Sequence, residues 1–96
     1  MRSLLITVPA SRDLEAIADY FLKNSVDAGE RFVQAFGQQC EHIARFPFIG
    51  KPYENIRPGL RGLGLMNYII FYQVSETDIE ILRVVSGYRN LQNVFE

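Results

Sequence analysis

Tyr68-Ile69-Ile70-Phe71-Tyr72-Gln73-Val74, a polar break at Ser75-Glu76-Thr77-Asp78, and then Ile79-Glu80-Ile81-Leu82-Arg83-Val84-Val85-Ser86 form the stretch on which the fold turns. Both runs are rich in β-branched and aromatic residues and are bounded by turn formers, the pattern of two neighbouring strands joined by a tight turn. In the first run Tyr68, Ile70 and Tyr72 alternate with Ile69 and Phe71, so both faces are apolar and the strand reads as central, covered on each side. Just upstream, Leu60 to Met66 is apolar but interrupted by Gly62 and Gly64, which predicts a third strand, bulged or bent at the glycines. The three make an antiparallel meander.

Before the meander, Pro47, Gly50, Pro52, Pro58 and Gly59 punctuate the chain too densely for a regular element and predict a loop. Further back, Leu14, Ile17, Ala18 and Phe21 recur at helical spacing, with Ser11 placed to cap the helix and Asp13 and Glu15 in its electropositive first turn. This helix runs to about Lys23. Asn24 and Ser25 break it, Asp27 with Glu30 resembles a capping box, and Phe32, Phe36, Cys40 and Ile43 carry an apolar stripe on toward Pro47. So short a connection makes the two helices antiparallel, and Gly37 within the second suggests close packing. Leu4-Leu5-Ile6-Thr7-Val8, ended by Pro9, opens the chain as a strand. The fold class is α+β: strand, antiparallel helical hairpin, three-stranded antiparallel meander, and a short C-terminal tail from Tyr88 to Phe95 as a helix or extended cap. The hairpin covers one face of the sheet and the other is left free.

With 96 residues the chain is one domain spanning 1–96, too short for two. An apolar share of 48% with 22% charged residues is globular rather than disordered. A core this small leaves apolar surface that a partner would cover, a second copy in a homodimer being compatible with the size. Net charge is -1, which excludes a general electrostatic attraction to nucleic acid. The single Cys40 forms no internal disulfide, Met1 to Val8 is too short for a secretory h-region, and no apolar run approaches the roughly 18 residues of a membrane span, so a cytoplasmic protein without membrane contact is expected.

Metal and nucleophile chemistry find no support, because His42 is the only histidine, Cys40 the only cysteine, and no carboxylate cluster has ligand spacing. No metal or cofactor is implied. Gly62-Leu63-Gly64 lacks the third glycine and following helix of a phosphate cradle. The arginines are more informative. Arg83 lies in an apolar strand on the face that alternation gives to Ile79, Ile81 and Val85, so it must either pair with a helix carboxylate or line a groove. Arg61 opens the strand after Pro58-Gly59, and Arg89 follows the last strand. Placed near strand ends, the three could converge to bind phosphate or carboxylate, with Tyr68, Tyr72 and Tyr88 available for stacking.

These residues resemble the RelE/ParE superfamily of toxins from bacterial type II toxin-antitoxin modules over nearly the whole chain. The resemblance is carried by Asp13-Leu14-Glu15-Ala16-Ile17-Ala18-Asp19-Tyr20, by Ala28 and Phe32, and by Phe46-Pro47 with Gly50-Lys51-Pro52. It continues through Pro58-Gly59-Leu60-Arg61, Asn67-Tyr68-Ile69-Ile70-Phe71-Tyr72, Ile81-Leu82-Arg83-Val84 and Tyr88-Arg89-Asn90-Leu91. RelE-like members are metal-independent, ribosome-dependent mRNA endonucleases, whereas ParE-like members inhibit DNA gyrase and trap its cleaved-DNA state. The phrasing of Pro58 to Arg61 and of Asn67 to Tyr72 is similar to ParE, which implies a gyrase inhibitor neutralised by a cognate, ParD-like antitoxin.

Under the nuclease alternative, acting on the ribosome and mRNA, Arg61, Arg83, Arg89 and Tyr88 would carry the chemistry. Against it, the tail position of the nuclease tyrosine is Phe95, and Lys51 is the one lysine in its loop. Ser86-Gly87-Tyr88-Arg89-Asn90 also departs from the histidine and aspartate common in ParE tails, which keeps an inactive, binding-only relative as a third alternative. The expected target-binding groove is Arg61, Arg83, Tyr88 and Arg89. The expected antitoxin-binding surface is on the first helix, at Leu14, Ile17, Tyr20, Phe21 and Lys23.

Overall fold

A computed structural model describes residues 2–95. The chain begins with β1 (Ser3–Ile6), continues through α1 (Val8–Asn24) and α2 (Val26–Arg45), and reaches the two-residue β2 (Lys51–Pro52). Then come β3 (Arg61–Leu65), β4 (Tyr68–Val74), β5 (Asp78–Ser86) and a 3-10 helix, Leu91–Phe95. The strands form one sheet in the order β1-β5-β4-β3-β2. The meander is antiparallel throughout, as its sequence predicts, while β1 lies parallel to β5 with Leu4 beside Ile79 and Ile6 beside Ile81. Only the long excursion through both helices allows that parallel return.

The helix starts differ from expectation. Pro9 does not stop the strand; it sits in the first turn of α1, where its missing N–H costs nothing. The cap is Thr7 rather than Ser11: its Oγ1 accepts from the Ala10 N–H and also donates toward the Ile81 and Leu82 carbonyls, fastening α1 to β5. Likewise α2 is capped by Ser25, not by an Asp27–Glu30 box, because Ser25 Oγ accepts from the Ala28 N–H at 2.9 Å. The same residue closes α1, donating its N–H to the Phe21 carbonyl, so one serine makes the whole turn between the helices. Gly37 meets nothing; the close approach is at Gly29, where an added Cβ would lie 2.7 Å from Leu22.

The core is divided by the sheet. On the helical side Ile17, Phe32 and Ile43 pack on Ile70, Tyr72, Ile79, Ile81 and Val84, with Leu14 and Phe21 against them. Each large apolar side chain so buried contributes about 1.5–3 kcal/mol. The opposite face is not free. Phe71 and Val85 pack there with Leu60 and Val94, joined by Tyr53, Ile56, Leu91 and Phe95, so the loop before β3 and the C-terminal 3-10 helix cover it. β3 itself is regular, and the glycines do not mark a bulge: Gly62 is small because an added Cβ would meet Tyr53 at 2.6 Å and Ile69 at 2.9 Å.

The irregularity is in β5. Arg83 pairs with Phe71 and Ile81 with the next residue, Tyr72, which leaves Leu82 as the extra residue of a bulge. Strict alternation is broken there. Ile79, Ile81 and Val84 face the helices, whereas Leu82 and Val85 join the opposite cluster.

Candidate functional site

The bulge decides where Arg83 goes. Instead of sharing a face with Ile79 and Ile81, its side chain lines a cleft of about 370 Å³ with Thr7, Arg57, Leu82, Val94 and Phe95. Its guanidinium grips Asp13 of α1 with two bonds, Nε to Oδ2 at 2.7 Å and Nη2 to Oδ1 at 3.0 Å, while Nη1 donates to the Val94 carbonyl at 3.1 Å. Asp13 also accepts the Val84 N–H at 2.9 Å. β1 ends at Ile6, opposite Ile81, so the edge of β5 beyond it has no strand partner, and this carboxylate caps it. The hydrogen bond to Asp13 raises the Arg83 pKa further, with burial opposing, so the residue is charged at every working pH. The two sequence alternatives are both present, since Arg83 pairs with a helix carboxylate and also lines a cleft.

Arg61 is also committed. It projects from the start of β3, where its Nη1 donates to the carbonyls of Phe48 at 3.1 Å and Gly50 at 2.8 Å. Beside it the buried Tyr72 hydroxyl donates to the Pro47 carbonyl at 2.7 Å and accepts the Gly50 N–H at 2.9 Å. Burial pushes the Tyr72 phenol above its ordinary pKa, an effect reduced by the Gly50 bond and by the Arg61 charge. Tyr72 is therefore a core residue that pins the 47–50 loop, not a base-stacking platform.

Tyr88 and Arg89 follow β5, exposed. Tyr88 and Ser86 line a cleft of about 360 Å³ with Tyr20, Phe21, Met66 and Tyr68. Met66, at the β3–β4 turn, holds φ at 56°, a conformation that side chains other than glycine adopt at a cost. The expected convergence of arginines is not present. Arg61 pairs across the sheet with Tyr72 at one end, Arg83 lies in the cleft by Val94, and Arg89 follows the far end of β5.

Among the expected antitoxin contacts, Leu14, Ile17 and Phe21 pack in the core, while Tyr20 and Lys23 are exposed. Next to them an apolar groove of about 300 Å³ runs between the helices, lined by Ala18 and Leu22 of α1 and Gly29 and Val33 of α2. Sequence reasoning missed that groove, Arg57, and the role of Asp13.

Fold and surface together define a small α+β domain of the RelE/ParE superfamily type, with a helical hairpin on one face of the sheet and open clefts around it. The sequence pattern of "ParE toxin of type II toxin-antitoxin system, parDE" matches residues 4–91, and the chain belongs to that family. It is 27% identical over 92 residues to Toxin ParE3 of Caulobacter vibrioides, covering 95% of this chain and 92% of that one. Toxin ParE1 of Mycobacterium tuberculosis is 31% identical over 83 residues, 84% and 85% of the two chains. Among solved structures, a chain of the chromosomal ParDE TA system from P. aeruginosa matches with a TM-score of 0.64 and 28% identity, over 90% of this chain and 96% of that one.

Proposed function

We propose that this chain acts in the cytoplasm as an inhibitor of DNA gyrase and is neutralised by a cognate, ParD-like antitoxin. The observation that carries the reading is the family match across residues 4–91. The geometry adds support. A metal-independent ribonuclease needs mobile acid, base and cationic groups gathered at one phosphate, whereas here Arg61 and Arg83 donate to their own chain. Phe95, at the tail position, packs edge-on against Phe71 with ring centres 5.4 Å apart.

The exposed Tyr88 and Arg89 are the target contacts in this reading, with Arg61 and Arg83 shaping the surfaces behind them. The antitoxin would lay an apolar helix or extended segment along α1, meeting Tyr20 and Lys23 at one side of the Ala18–Val33 groove. Pulse labelling after induction tests the target class: DNA synthesis should fall before protein synthesis. Immediate arrest of translation with DNA synthesis intact would reject gyrase.

A further inference from the structure

The segment Arg45-Phe46-Pro47-Phe48-Ile49-Gly50-Lys51 exposes three large apolar side chains in four residues. Phe46 is 62% exposed, Phe48 60% and Ile49 49%. Exposed apolar groups so concentrated mark an interaction surface more often than chance. This one is also rigid. The Tyr72 hydroxyl ties Pro47 to Gly50, Arg61 ties Phe48 to Gly50, and Ile49 N–H donates to the Phe46 carbonyl at 3.0 Å. Gly50 is required for the fit, since an added Cβ would lie 2.7 Å from the Tyr72 hydroxyl. A surface held in shape before contact loses little entropy on binding.

The electrostatics select the occupant. Guanidinium carbons of Arg61 and Arg2 lie 5.0 and 5.8 Å from the centre of the Phe48 ring. Arg45 and Lys51 bracket the same segment, which contains no acidic residue. Among the described residues the one ion pair within 4.0 Å is Arg83–Asp13, so within that set none of these four cations is ion-paired, Arg2 donating its Nε instead to the Ser75 carbonyl at 2.7 Å. A chain of net charge -1 thus gathers four cations around one apolar knuckle with no ion pair within 4.0 Å among the described residues. We propose that this knuckle docks an acidic protein segment in which carboxylates alternate with aliphatic or aromatic side chains, separate from the groove on the helical hairpin. A nucleic acid fits less well, because a chain of net charge -1 supplies no general attraction to a phosphate backbone.

The test is fluorescence anisotropy on the full chain with a short labelled peptide of Glu and Leu, against the same peptide with Gln for Glu and against a labelled single-stranded oligonucleotide. The Glu peptide should bind, weakening with salt, and Phe48→Ser and Arg2→Glu should each reduce its affinity at least about tenfold. Arg31→Glu, the same charge change on the exposed surface of α2, should leave it unaltered. Should Phe48→Ser lose its fold by circular dichroism, Ile49→Ser with Arg2→Glu decides in its place. Equal binding of the Gln peptide, preference for the oligonucleotide, or indifference to the knuckle variants overturns the proposal. So does a homodimer that Phe48→Ser dissociates without any peptide binding, which would assign the surface to a second copy.

Discussion

Asp13 does three things at once: it pairs with Arg83, caps the Val84 N–H and, through Arg83, holds the Val94 carbonyl. Its side chain is 16% exposed and that of Arg83 23%, so neither charge is well solvated when its partner is removed. Arg83→Ala and Asp13→Ala should each cost about 2–3 kcal/mol by chemical denaturation, below a fully buried pair and above a surface one. The double variant should cost clearly less than the sum, and strict additivity would show that the pair is not coupled. Tyr72→Phe removes one hydroxyl from two buried bonds and should cost about 1–3 kcal/mol while loosening the 47–50 loop, visible as faster amide exchange at Gly50. Burial pushes the Cys40 thiol from 9.0 up to about 11. Its folded pKa is raised, so its contribution to stability is complete below pH 9.0 and is lost as pH rises toward 11. At about pH 8 iodoacetamide should alkylate the native thiol about tenfold more slowly than the unfolded one, the smaller thiolate fraction being partly offset by the greater nucleophilicity of a more basic thiolate, and equal rates would refute the raised pKa.

At the level of elements, α1 is where sheet and tail meet and where the proposed antitoxin surface lies. It is capped by Thr7 onto β5 and tied by Asp13 to the last strand and, through Arg83, to Val94. Binding of the cognate antitoxin should protect amides of residues 11–24 from hydrogen exchange by at least about tenfold. Exchange unchanged there, with protection elsewhere, would move the antitoxin off this helix. The meander and the hairpin are legible in the sequence because periodicity in Tyr68 to Val74 and in Leu14 to Ile43 reports directly on which side is buried. Pairings are not. The parallel placement of β1 and the two-residue β2 depend on where the chain returns after long loops, which no local pattern encodes. The Leu82 bulge is not located by the sequence either: the apolar pairs Ile81-Leu82 and Val84-Val85 blur the alternation, and the extra residue is placed only against Tyr72 of the neighbouring strand.

For the molecule as a whole, the sheet is sandwiched between a helical hairpin and a thinner layer made by the 53–60 loop and the C-terminal 3-10 helix. That second layer was unforeseen because Tyr53, Ile56, Leu91 and Phe95 are scattered singly among turn formers and build an apolar layer only in three dimensions. It covers the sheet face that the sequence pattern leaves free, while Tyr88, Arg89 and the hairpin groove stay open. The arrangement suits a protein that acts by binding. The decisive measurement is plasmid supercoiling by purified gyrase with and without the antitoxin-free chain, scoring both lost supercoils and linear DNA. A gyrase inhibitor gives lost supercoils with accumulated cleaved DNA, reversed by added antitoxin; full supercoiling with no linear product, from protein shown to be folded, contradicts gyrase as the target.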